Sequence, residues 1–422
     1  MMKKFAVATA LGLGLMAGTA QAAFVVGGEN GWQLSTDGIV DVFATYDTTS
    51  NGPGGNHAFG LLDVPGQRFG VGVGLLPSVV GINIKAPTTH GIDSTVRIGI
   101  YPSIQNTGNG SLAGPGALSA ADRFSVGPNI DFREMYYNAK GKYGELLAGR
   151  ALNLFQGKNI LTDMTLLTAG TVGLRAHTVT LGHIGWGYLY PGFSPQIRYT
   201  TPDLNGVKVA VLVGEPYEIS AESDKTNTPR FETEISYAQV FGKTSVQGWV
   251  SGLYQSTTAQ DATRLGHKET SVGTAFGASV GIGGLNVLGS GYYGEGLGTV
   301  SAQDGNGPLV GAGLFGGSTD AYGNERTDWG FLAQATYQLT PEWKVGANYG
   351  QTRQEETSYD KALRNAGDSI MVKKQESAVA NVVYNLNKFT QFIAEYTYAQ
   401  STWMDGATQH SNQVAVGTMF YW

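Results

Sequence analysis

Asp328-Trp329-Gly330-Phe331-Leu332-Ala333-Gln334-Ala335-Thr336-Tyr337-Gln338 reads as a strand with two unlike faces. Trp329, Phe331, Ala333, Ala335 and Tyr337 fall on one parity; Asp328, Gly330, Leu332, Gln334, Thr336 and Gln338 fall on the other. Successive side chains of an extended chain leave on opposite sides, so one face is apolar with a ring at each end and the other is mostly polar. A strand crossing lipid turns such an apolar face outward, with its aromatics at the two headgroup levels. The inner face of a two-sheet sandwich would show the same parity.

The pattern continues on both sides. Val207, Val209, Val211 and Val213 share a parity opposed by Lys208, and Phe231, Ile235, Tyr237 and Phe241 oppose Arg230, Glu232, Glu234 and Ser236. Sixteen strands are expected, near 36–46, 67–86, 94–104, 130–140, 145–151, 194–201, 206–214, 230–241, 243–255, 269–280, 285–295, 326–338, 342–353, 376–386, 389–400 and 410–422. The second is over-long and should kink at Pro77. Connections alternate between short, such as Gly141 to Gly144 and Asn387-Lys388, and long, such as Gln105 to Asn129 and Leu152 to Phe193. Tight turns at one end and long loops at the other describe an up-and-down barrel; Greek-key crossovers would break that order. The expected fold is all-β, a 16-stranded antiparallel transmembrane barrel.

Composition removes other classes. The chain has 422 residues, 14% charged, with 62 Gly, 21 Tyr and no Cys. Without cysteine there is no disulfide framework, thiol nucleophile or thiolate metal site. A formal net charge of −6 leaves no basic footprint for nucleic acid. Lys3 and Lys4, the apolar run Phe5 to Ala17 and Ala20-Gln21-Ala22 read as a Sec signal peptide over 1–22, leaving a barrel over 23–422. Its removal takes the charge to −8.

The last strand places Val414, Val416, Thr418, Phe420 and Trp422 on one parity, so the chain ends on an outward aromatic. That ending is similar to the signal by which outer-membrane proteins are handed to their insertion machinery. Phe132-Arg133-Glu134-Met135-Tyr136-Tyr137-Asn138, followed by Lys140-Gly141-Lys142-Tyr143-Gly144-Glu145-Leu146-Leu147-Ala148-Gly149-Arg150, resembles the fourth and fifth strands of Gram-negative trimeric porins. Gln196 to Gly206 resembles that family's sixth strand and turn, and Gln67-Arg68-Phe69-Gly70 its second-strand opening. The resemblance spans nearly all of 23–422 and implies a homotrimer in outer-membrane lipid that passes small hydrophilic solutes and ions by passive diffusion.

It also implies that the third long loop, 152–193, folds inward and narrows the barrel, with Arg150 pointing into the gap. Physics asks for the same device, because a barrel of this size is too wide to sieve small solutes without an inserted segment. Parity places Arg68, Lys85, Arg97, Arg150, Arg198 and Lys208 on the lumen side, and the loop adds Lys158, Asp163 and Arg175. In the resembling porins the loop carries several carboxylates; here Asp163 is its single acid. A ring of cations lowers the barrier for anions, so weak anion selectivity or near neutrality is expected. The opposing view is that Glu232, Glu234, Asp328 or Glu395 on the far wall restores the balance.

No enzyme motif competes. There is no HExxH or G-x-S-x-G, and the six His are scattered; His177 and His183 share the loop but make a poor metal pair. No catalytic residue, metal site or cofactor is expected. An 18-stranded substrate-specific channel, with Tyr101 and Trp249 as lumen rings, and a soluble exported binding or adhesive β-protein remain as alternatives.

Overall fold

The computed structural model describes residues 24–62, 65–102, 104, 130–173, 179–219, 225–260, 263, 265–300 and 317–422. The segment 1–22 lies outside them. The wall is built of β1 Gln33–Thr49, β2 in two pieces (Gly66–Gly72 and Val79–Lys85), β3 Asp93–Pro102, β4 Ile130–Gly141, β5 Gly144–Leu152, β6 Phe193–Thr200, β7 Val207–Gly214 and β8 Arg230–Phe241. It continues with β9 Thr244–Thr258, β10 Lys268–Ile282, β11 Leu285–Glu295, β12 Thr327–Gln338, β13 Trp343–Gln354, β14 Val372–Asn385, β15 Thr390–Trp403 and β16 Thr408–Tyr421. Every strand pairs antiparallel with the next, and β16 pairs with β1, so the sheet closes on itself with sixteen wall positions. Closure satisfies each strand's backbone groups, the condition for crossing hydrocarbon without water.

Burial along the strands is that of a soluble protein turned inside out. On β1 Asp41, Thr45 and Asp47 are buried while Val40 and Tyr46 are exposed. On β8 Arg230, Glu232 and Glu234 are buried while Phe231 and Ile235 are exposed. On β12 Asp328, Gln334 and Thr336 are buried while Phe331 and Tyr337 are exposed. Polar residues therefore face inward and apolar ones outward, which excludes the sandwich, where the apolar parity would be covered.

The expected kink in β2 is a complete break from Val73 to Ser78. Gly74 N there donates to Asp41 Oδ2 (2.5 Å), and Leu75 N and Leu76 N donate to the carbonyls of Thr168 and Leu166 (2.9 and 3.1 Å). The ladder's lost partners are thus replaced by the long segment after β5. That segment carries helix α1, Gly157–Thr162, and a 3₁₀ turn, Met164–Leu167; a second helix, α2 Ser358–Ala366, lies between β13 and β14.

Candidate functional site

Between β5 and β6 the chain has no strand-like alternation, and its polar groups find partners on inward-facing side chains of distant strands. Glu232 on β8 accepts from Leu154 N and Phe155 N (2.7 and 2.8 Å). Asn159 accepts from Trp249 Nε1 on β9 (2.8 Å) and donates to the Gly291 carbonyl on β11 (3.3 Å). Gln334 on β12 accepts from Met164 N (2.6 Å), and Thr352 on β13 accepts from Gly187 N (3.0 Å). Thr171 meets Ser377 on β14 (2.9 Å), and Gln413 on β16 accepts from Val172 N (3.0 Å). Glu395 on β15 accepts from Gly170 N and Thr168 Oγ1 (2.6 and 2.5 Å).

Apolar packing reinforces these bonds. Ile160, Leu166, Leu181, Ile184 and Trp186 share one buried cluster with Trp249, Leu288 and Leu332 of the wall. The approach is close enough to dictate residue size: a Cβ on Gly350 of β13 would stand 2.3 Å from the Trp186 carbonyl oxygen.

Asp163, expected as a constriction charge, is instead a buried structural acceptor. It takes hydrogen bonds from Thr165 N (2.9 Å), Tyr188 Oη (2.7 Å) and Asn348 Nδ2 (3.1 Å). Burial first, and the Asp163 charge second, push the Tyr188 phenol well above its ordinary value, so it stays a donor. His183 is held by Asn348 (2.9 Å), and among the described residues no group of three metal-ligating side chains converges. Arg175 and His177 lie outside the described residues.

Side chains of β8, β9 and β12–β16 and the Gly291 carbonyl of β11 supply these long-range hydrogen bonds, Leu154 packs with Ala210 and Leu212 of β7, and the remaining cations gather along β3–β7. Arg97 is buried between two carboxylates, Asp37 (2.8 Å) and Glu134 (2.9 Å), and also donates to Asn83 Oδ1 (3.1 Å). Arg198 faces inward, donating to the Leu152 carbonyl (3.2 Å), with Glu145, Glu234 and Glu232 acting on it electrostatically. Lys158 on α1 reaches Glu234 (3.6 Å). Arg68 faces inward across the ladder from buried Asp47. Lys208 and Lys85 stand at the short-turn rim, Lys85 paired with Asp93 (3.4 Å). Tyr101 and Trp249 are indeed inward rings, each spent on a structural hydrogen bond, Tyr101 Oη to Glu134 (2.6 Å) and Trp249 to Asn159.

Arg150 is a correction. Glu145, Leu147 and Ala151 of β5 are buried, which puts Arg150 on the outward parity, where it donates to the Phe193 carbonyl (2.7 Å). Glu145 and Arg150 have opposite parities, so one had to leave the lumen, and the residue at the loop end did. Sequence reasoning also passed over Arg133 as a lumen residue. A register shift between Gly99 and Tyr101 on β3 opposes extra residues of β4, and Arg133 stacks over the rings of Tyr101 (4.8 Å) and Phe193 (5.7 Å) while pairing with Asp131 (2.8 Å).

A family model described as Gram-negative porin matches residues 6–402. The chain belongs to that family. No curated protein sequence matches it. Among solved structures, this porin is similar to the outer membrane channel DcaP of Acinetobacter baumannii, at 16% identity and TM-score 0.64, covering 95% of this chain and 100% of that one. It is also similar to an anion-selective porin from Comamonas acidovorans, at 15% identity and TM-score 0.60, covering 93% and 100%. A third is Pseudomonas putida OprB, at 10% identity and TM-score 0.56, covering 91% and 94%. Family and fold together make this porin an outer-membrane diffusion channel, and its closed sixteen-position wall answers the 18-stranded alternative.

Proposed function

We propose that segment 152–193 is the constriction of this channel and that small hydrophilic solutes and ions pass between it and the wall of β3–β7. The observation that carries this is the set of inward side chains from distant strands that accept from the loop's amides: Glu232, Gln334, Glu395 and Gln413. Passage is passive. Nothing in the site requires a reacting group, since charged side chains need only lower the barrier for a hydrated solute.

The selectivity proposed is close to neutral. Arg97, Arg133 and Lys158 each have a carboxylate within salt-bridge distance, so their fields are largely cancelled before they reach a permeating ion. The similar anion-selective porin favours a residual anion preference, and Arg198, with no carboxylate in direct contact among the described residues, is the side chain that would supply it. Residues 1–22 act in this reading as a Sec signal peptide, with the mature barrel over 23–422. Three copies associate in the membrane, and the strand ending at Trp422 is presented to the insertion machinery. Single-channel recording in planar bilayers tests the core of the reading: full-length mature protein should open steady, ohmic channels, and loosening the loop should enlarge them. Conductance indifferent to every loop anchor would overturn it.

A further inference from the structure

Outward-facing positions of the wall are apolar over most of its circumference, which makes the exceptions informative. On β13 and β14 Arg353, Lys374 and Glu376 share the outward parity, and Arg353 lies directly across the ladder from Lys374. Two like charges side by side repel, and charges on a lipid-facing wall are costly at the bilayer midplane but tolerated near its surface. The rows beneath fix the depth. Next to the cations lies the row Gln351, Glu376 and Gln400; then Tyr349, Ala378 and Tyr398; then Ala347, Ala380 and Tyr396. A tyrosine row marks the edge of the hydrocarbon, so Arg353 and Lys374 stand at headgroup level on the long-loop side.

Their chemistry is poised for an anion. The Arg353 guanidinium lies 5.2 Å over the Trp329 ring, with its Nε buried and without a hydrogen-bond partner among the described residues, which leaves the terminal nitrogens to meet an anion. The competitor of an incoming anion for the Lys374 ammonium is Glu376. It sits one row deeper and accepts from Tyr349 Oη (2.5 Å), Lys374 Nζ (2.7 Å) and Gln400 Nε2 (3.3 Å). We propose that this outward patch binds the phosphate of a lipid headgroup, with Arg353 offering a bidentate edge and Lys374 a point charge. The acyl chains then lie down the apolar wall below the tyrosines, which is why a lipid phosphate fits the site better than a free one.

The test uses the full mature protein, folded in zwitterionic detergent and shown to be folded by heat-modifiable gel mobility. Native mass spectrometry follows its titration with phosphatidic acid and, separately, with phosphatidylcholine. Phosphatidic acid should be retained preferentially, and Arg353→Gln/Lys374→Gln should weaken its retention about thirtyfold, the combined worth of two cations at a charged membrane surface. Arg353→Lys/Lys374→Arg should keep most of the preference, and Glu376→Gln should strengthen it. An unchanged preference in the charge-removing variant overturns the proposal. So does displacement of the lipid by an equal concentration of inorganic phosphate, which would mark a free-anion site. A shift from oligomer to monomer with lipid retention unaltered would assign the patch to a contact between copies instead, and overturn it equally.

Discussion

Trp422 closes the molecule. Its carbonyl accepts from Gly38 N (3.1 Å), its own N–H donates to the Gly38 carbonyl (3.2 Å), and its ring lies where a Gly38 side chain would be, with a Cβ placed 2.2 Å from it. The last strand therefore needs both a terminal ring and an opposing residue without a side chain. Gly38→Val should raise the cost of closure by about 1–3 kcal/mol, the usual penalty of overpacking. The measurement is the urea midpoint of the heat-modifiable band, and a midpoint equal to the parent's would contradict the closure argument. Arg97 gives a second prediction at the same scale. Arg97→Ala leaves Asp37 and Glu134 facing each other without their cation and should destabilise by about 3–5 kcal/mol. Restoring stability with Glu134→Gln in the same chain is the expected rescue.

Among elements, the segment 152–193 depends on acceptors supplied from afar. Glu395→Ala removes the partner of Gly170 N and Thr168 Oγ1, and an unsatisfied buried N–H costs about 1–3 kcal/mol. That is enough to free part of the segment, so single-channel conductance should rise and become noisier; an unchanged, quiet trace would refute the anchoring role. The strands themselves were legible because a period of two is written locally, and β8 and β11 fall on the residues their alternation marked. The anchors were not, since Glu232 and Glu395 lie 78 and 225 positions from the amides they accept. Arg150 was misread because Leu146, Leu147 and Ala148 are apolar on both parities, so β5 lacks the contrast that assigns faces elsewhere. The loop around α2 adds a pH effect. Its hydrogen bond to Arg364 holds Glu356 below the usual carboxylate range, and hydrogen bonds from Ala407 N and then His57 do the same for Asp405, which clamps the loop at His57. Depressed carboxylates contribute stability above their ordinary value and lose it as pH falls through the lower folded value. Pepsin cleavage of 355–371 should therefore rise below about pH 4 while the barrel stays intact, and Glu356→Gln should flatten that rise.

At the scale of the whole molecule the formal charge of −6 is a poor guide to what the channel passes, because charge acts by position. Near the wall of β3–β7 the cations Arg97, Arg133, Arg198 and Lys158 are interleaved with Asp37, Asp131, Glu134, Glu145 and Glu234. Paired charges a few ångströms apart act on a passing ion as dipoles, whose fields fall off faster than those of single charges and are screened further over about 8 Å at physiological salt. In a salt gradient the reversal potential should lie near zero. Arg198→Gln should move it toward cation preference and Glu145→Gln toward anion preference, by comparable amounts and in opposite directions. Those shifts should shrink at 1 M salt, where screening acts over about 3 Å. A strong preference of either sign in the parent channel, or shifts of the same sign in the two variants, would mean that permeating ions do not travel along this wall.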